Sequence, residues 1–432
     1  MDEKQQRREA RRKRRIRNQV TAYIVLAVIL LGAAGGAALW VKHITAVREE
    51  ARQEAQDKID EILASEPPVA TPEPTPEATE PAPSQKLEEL VNAGVEGMPL
   101  EDKVAGLFVV TPEAITGVST AVRAGDGTRE ALAKYAVGGL IYFQKNIQSM
   151  EQLTEMLDNT ELYSKYPLFL AVDDEGGSVS RLAAAGLSQK MPGAKEIGAT
   201  GDTQQAYQTG LAIGASLAEA GFNLDFAPVA DLANVENSVM EERSYGSDAG
   251  EVAGFVNAMA AGLREQKITA CVKHFPGIGS SVEDTHNGMA STDRTAEQFR
   301  AEEFVVFAEA IQEGADMIMV SHMSAPSLTG NNEPGIFSES MVTGILREEL
   351  GFQGVIITDA LNMQAISEYY GSGEAAVMAL KAGCDMLLMP EDFEEAYQAV
   401  LEAVQNGVIS EERINDSLKR IYRIKYAGQI QE

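Results

Sequence analysis

Between residues 106 and 390 of this 432-residue chain, eight short apolar runs alternate with longer stretches of helical periodicity. The runs are GLFVV (106–110), GGLIYF (138–143), LFLAVD (168–173), FNLDFAPVAD (222–231), ITACVKHF (268–275), ADMIMVSH (315–322), GVIITDA (354–360) and CDMLLMP (384–390). They are apolar on both faces rather than alternating, which suits parallel strands covered by helices. Eight strand–helix units in a domain of this length predict a single α/β domain of the (β/α)8 TIM-barrel class. An open doubly wound sheet is the competing arrangement, and it differs by a reversal of strand order. The helical stretches carry boundary signals. In STDRTAEQFRAEEFVVFAEAIQEG, Thr295 is placed to cap and Gly314 to stop.

A barrel turns the residues at the carboxyl ends of its strands into one pocket. Here those residues are polar: Asp173, Asp231, Lys273, His274, His322 and Asp359. Neither a GxGxxG nor a Walker-type phosphate loop follows any run, which argues against nucleotides. Asp359, in GVIITDALNM, reads either as a helix N-cap or as a buried nucleophilic carboxylate. A carboxylate nucleophile serves glycosyl esters or acyl phosphates, and the missing phosphate loop favours the sugar. Such chemistry also requires an acid that protonates the leaving oxygen.

Half of the chain's four histidines lie in KHFPGIGSSVEDTH (273–286). His286 titrates near neutrality, and Asp284 is close enough in sequence to hold its tautomer, so the two form a candidate acid/base dyad. The alternative is a solvent-exposed loop histidine. Gly277, Gly279 and Gly288 are expected to let this loop close over a bound substrate and reopen. His322 is expected as a wall residue of the pocket mouth. No metal is expected, because the histidines and acids lack ligand spacing.

Four motifs then acquire a common meaning. KHFPGIG with DTH, VDDEGGSVSRL (172–182), EERSYG (241–246) and VIITDAL (355–361) together resemble glycoside hydrolase family 3, in its β-N-acetylglucosaminidase branch. The resemblance covers roughly residues 88–430 with the motifs in order. It implies Asp359 as nucleophile, His286 as acid/base and Asp284 as its partner. It implies further that Asp173, Arg181, Arg243, Lys273 and His274 grip the sugar's hydroxyls, with no cofactor. Glu175 is expected to hold an arginine or backbone groups rather than to catalyse.

The implied activity is a retaining exo-β-N-acetylglucosaminidase acting on glycans that contain N-acetylglucosamine. A β-glucosidase or β-xylosidase of the same family and a non-catalytic glycan-binding wall protein are the alternatives. Only about forty residues follow the eighth run, so the barrel is expected to supply its own acid. The chain departs from the family pattern at Ile278, where a histidine is usual, at Ser280-Ser281, and at Ser178, where arginine is common.

The charge of −29 hides an asymmetry that bears on location: residues 1–18 carry nine Lys/Arg against three Asp/Glu. The remaining acidic body repels phosphate backbones, which argues against nucleic acid as a partner. The uncharged stretch 19–41 is long enough to span a bilayer. The basic residues before it place segment 1–18 in the cytoplasm and everything after the span outside. A cleaved signal peptide is the alternative, but the apolar run exceeds a usual signal core, so a transmembrane anchor in the cell membrane is expected. Residues 42–65 read as a charged helical stalk offering at most a weak dimer contact, and 66–86 as a Pro/Glu/Thr-rich linker. A barrel over 87–432, expected to be monomeric, follows them. The only two cysteines, Cys271 and Cys384, sit in apolar runs as small buried hydrophobes rather than a disulfide.

Overall fold

Every one of the eight apolar runs contains a strand: β1 (Phe108–Val110), β2 (Gly139–Ile141), β3 (Phe169–Val172), β4 (Leu224–Asp225), β5 (Thr269–Phe275), β6 (Met317–Val320), β7 (Val355–Thr358) and β8 (Leu387–Leu388). This computed structural model describes residues 83–282 and 288–427. The basic segment, the anchor, the stalk, the linker up to residue 82, and the pair Asp284 and His286 lie outside the described residues. Among the described residues no helix is long and apolar enough to cross a membrane.

The strands pair in parallel in chain order, with β8 beside β1. No reversal of order occurs, so the arrangement is not doubly wound. Closure between β7 and β8 rests on a narrow seam. Ile357 bridges Met386, the Asp385 and Met386 N–H groups both donate to Ile356 O (2.7 and 3.1 Å), and Thr358 N–H donates to Met386 O (3.1 Å). The result is a nearly closed, TIM-like parallel barrel. Its strand side chains are buried on both faces, as the unbroken apolar runs require. Cys271 and Cys384 are free thiols within that core.

Beneath the seam, Asp385 is fully buried and holds several groups at once. Its Oδ2 accepts from Arg347 and from the Ile356 N–H (2.9 Å), while Oδ1 accepts from Ser417 Oγ (2.7 Å) and Arg420 (3.1 Å). One carboxylate thereby joins the seam to the helical segment Ser340–Glu349 and the C-terminal helix Glu411–Ala427.

The first described helix, Pro83–Glu96, takes in the last residues of the expected linker. The helix after Thr295 is capped as anticipated, with a Thr295–Gln298 capping box, but it breaks at Glu302 and resumes over Glu303–Gln312 before Gly314.

Packing around the barrel depends on glycine where the helices Thr203–Ala220 and Ala249–Glu265 cross. A Cβ at Gly210 would overlap the Met259 carbonyl oxygen, and one at Gly262 would overlap the Tyr207 carbonyl oxygen. Alanine's better helix propensity, worth about 1 kcal/mol, cannot offset a backbone clash of the ~1–3 kcal/mol overpacking class. Gly210→Ala is therefore expected to lower the melting temperature, measured by differential scanning calorimetry. An unchanged or raised value would show that the helices separate at little cost.

The C-terminal helix also covers the barrel's lower mouth. Lys425 turns its ammonium inward, donating to Gly138 O (2.7 Å) with the rings of Phe169 and Tyr422 each 4.8 Å away. Among the described residues no anionic partner meets it, and burial pushes its pKa down to about 7. A lysine lowered in the folded state costs stability fully below that pKa. The cost is relieved as pH rises from about 7 toward the unfolded value near 10.4. The Lys425→Met protein is thus expected to gain less stability than the parent between pH 6.5 and pH 9 in denaturant titrations.

Candidate active site

The carboxyl ends of the strands place six of the predicted residues around one cavity. Asp173 follows β3, Lys273 and His274 lie in β5, and Asp359 follows β7. Arg181 opens a short helix after the hairpin Asp174–Gly176/Val179–Ser180, and Arg243 reaches in from the segment after β4. The cavity measures about 350 Å3, at the small end of ligand pockets. Phe143, Met319, Met363, Leu388 and Met389 supply its apolar wall. A larger cleft of about 870 Å3 lies beside the C-terminal helix, far from these residues, and carries none of them.

One side of the cavity is an ion network. Lys273 Nζ sits 2.8 Å from Asp173 Oδ1 and 2.7 Å from Glu175 Oε1. Glu175 accepts a second, two-pronged interaction from Arg243, at 2.8 Å to Nε and 2.6 Å to Nη2. Burial opposes ionisation of Glu175, but Lys273 and Arg243 outweigh it and hold the carboxyl well below the usual range. Burial likewise opposes charge on Lys273, yet Asp173 and Glu175 keep it firmly protonated. Lys273 is therefore a fixed cation that cannot act as a base, and Glu175 serves as the partner of two cations. Arg181 lies more loosely, 3.9 Å from Asp173 and 5.7 Å over the Phe143 ring.

In the same cavity, Asp359 Oδ1 accepts the Ala360 N–H at 2.8 Å. Burial works against its charge, but His322, His274, that N–H and Lys273 together hold its pKa below the ordinary aspartate value. Asp359 is thus ionised near neutrality, as a carboxylate nucleophile must be. It caps no helix: the next helical turn begins at Gln364 with Met363 as its N-cap.

Behind this surface lie carboxyls that do not reach the cavity. Asp231 is fully buried and accepts from His274 Nδ1 and from the Ile278 N–H, both at 2.7 Å. Asp225 is also fully buried, with Oδ1 accepting the Asp174 N–H at 2.8 Å. Burial first, and then the Asp174 charge, push its pKa well above the aspartate range. The expectation that Asp231 lines the pocket fails because the backbone after β4 runs alongside β5, bridging Val229 to Lys273, and turns the carboxylate behind His274. His322 is likewise no wall residue. It is fully buried and its Nε2 lies 2.8 Å from Ala360 O, behind the turn that carries Asp359.

Two of the loop glycines also have a packing reason. A Cβ at Gly277 would come within 2.6 Å of Glu303 Cγ, and one at Gly279 would overlap the Leu232 carbonyl. These positions need glycine for close packing at the loop's base, whereas Gly288, at φ +143°, has open space around it. Ile278, where the family pattern has histidine, is buried in the core with its N–H on Asp231.

Comparison with known proteins accords with this geometry. Residues 99–424 match the Glycosyl hydrolase family 3 N terminal domain. Beta-hexosaminidase A of Pseudoalteromonas piscicida is 31% identical over 68% of this chain, which spans 54% of that protein. The beta-hexosaminidase of Idiomarina loihiensis is 35% identical over 64% of this chain and 82% of its own length. Among solved structures, a family 3 beta-N-acetylglucosaminidase from Paenibacillus sp. strain FPU-7 superposes with a TM-score of 0.73 at 34% identity, covering 77% of this chain and 63% of that one. The chain belongs to glycosyl hydrolase family 3.

Proposed function

We propose that this protein is a retaining exo-β-N-acetylglucosaminidase that releases terminal β-linked N-acetylglucosamine from extracellular glycans. The observation that carries the reading is an ionised Asp359 facing a small cavity that is also lined by the prearranged Asp173–Lys273–Glu175–Arg243 network. The relatives named beta-hexosaminidase support the sugar class.

In this reading Asp173, Lys273, His274, Arg181 and Arg243 orient the terminal sugar, since fixed cations donate to hydroxyl oxygens and a carboxylate accepts from them. Asp359 attacks the anomeric carbon as the bond to the leaving oxygen breaks, and His286, held by Asp284, gives that oxygen its proton. Water then loses a proton to His286 and attacks the same carbon. This releases the Asp359 carboxylate and a sugar of unchanged anomeric configuration. No step requires a cofactor or metal. The span 19–41 would anchor the chain at the cell membrane.

Asp359→Ala and His286→Ala are each expected to lower kcat on 4-nitrophenyl N-acetyl-β-glucosaminide by on the order of 10^4-fold or more, with unchanged circular dichroism. Undiminished turnover in either variant would refute its role. Replacing the substrate by the β-glucoside or β-xyloside separates the nearest alternative. Faster hydrolysis of those sugars would reassign the specificity, and no turnover of any of them would favour a non-catalytic glycan binder.

Lys273→Met leaves two carboxylates without their shared cation, a change of the ~3–5 kcal/mol class. It is expected to raise KM at least tenfold and lower thermal stability together. A variant with parental KM would remove Lys273 from the sugar-binding set.

A further inference from the structure

We propose that Asp231 is a positioning residue that dictates which nitrogen of His274 carries the proton and fastens that ring to the base of the loop after β5. The inference rests on reading the cavity as a glycosidase site. Asp231 is fully buried, touches no part of the cavity, and uses both oxygens: Oδ2 lies 2.7 Å from His274 Nδ1 and Oδ1 2.7 Å from the Ile278 nitrogen. Ile278 N–H can only donate, and a carboxylate at these distances can only accept. His274 must therefore carry its proton on Nδ1, which leaves Nε2 as the nitrogen able to meet a ligand.

The backbone holds Asp231 to this task. Ser244 Oγ donates to the Asp231 carbonyl at 2.6 Å, and the parallel bridge from Val229 to Lys273 sets the segment alongside β5. Lys273, one residue before the ring, meets Asp173 and Glu175, so the two adjacent residues of β5 are each oriented by a carboxylate from another element. Ile278 buries its side chain in the core four residues later, which makes the Asp231 contact a fixed point from which the chain departs toward Asp284 and His286.

Asparagine at position 231 would have the same shape but only one acceptor. The Ile278 N–H is fixed to the backbone and cannot change, whereas an imidazole can move its proton. The Asn oxygen should therefore keep Ile278, and its NH2 group should force His274 into the opposite tautomer, with the proton on Nε2. The same reasoning explains why the carboxylate, rather than an amide, stands here.

The test is nitrogen-detected NMR of the histidine rings, of which the chain has four, with His274→Gln identifying the signal. It is paired with kinetics of Asp231→Asn on 4-nitrophenyl N-acetyl-β-glucosaminide. The expected result is an Nδ1-protonated His274 in the parent, loss of that proton in Asp231→Asn, and a fall in kcat/KM of roughly 10–100-fold, as for other outer partners of functional imidazoles. That fall should be carried mainly by KM. A parent ring protonated only on Nε2, or the same Nδ1 proton in both proteins, would overturn the proposal, as would unchanged kinetics. The parent spectrum decides the tautomer even if the variant fails to fold. It also decides it if the parent proves inactive on this substrate, an outcome that would refute the functional reading instead.

Discussion

The site is organised around a single buried ammonium. Lys273 Nζ stands between Asp173 and Glu175 at 2.8 and 2.7 Å, inside a barrel end where charges are poorly screened. Taking three charges out of water is costly, and only close, mutually satisfying geometry offsets that cost. Arg243 completes the balance by closing on Glu175 with two prongs. The network joins the end of β3, the carboxyl-terminal part of β5 and the segment after β4, so the polar side of the cavity is set by the fold before any ligand arrives. Preorganisation of this kind lowers the ordering cost of binding.

Several of the described carboxyls gather at this end of the barrel, and their surroundings assign them different tasks. Glu175 is committed to two cations, Asp225 is pushed toward its neutral form by burial, and Asp231 is committed to a ring nitrogen and a backbone amide. Asp173 faces the cavity but shares Lys273. Asp359 faces the cavity too, ionised, held by a backbone N–H at its own turn and by the positive potential around it. Among these, it is the carboxylate to which the proposed reading gives the bond to the sugar.

Much of this was legible in the sequence, because parallel strands covered on both faces leave unbroken apolar runs and every such run holds a strand. Strand-end chemistry was legible for the same reason: Asp173, Lys273, His274 and Asp359 all reach the cavity. Asp231 and His322 were misplaced, since a strand-end position does not say on which side of a neighbouring ring a group will lie. The Asp231 role depends on the Val229–Lys273 bridge, a contact between residues far apart in sequence. Gly277 and Gly279 resembled hinge residues, but glycine also marks close backbone approach, and only the positions of Glu303 and Leu232 distinguish the two. The break at Glu302 left no sequence signal, because the helical periodicity continues across it.

The account's central claim is that Asp359 becomes covalently bonded to the sugar. A 5-fluoro N-acetylglucosaminyl fluoride slows the second displacement, so the intermediate accumulates and intact-mass spectrometry reads it directly. The prediction is a mass increase of one fluorosugar unit that maps, after proteolysis, to the peptide containing Asp359. An adduct on any other residue, or turnover with inverted anomeric configuration and no adduct, would contradict it.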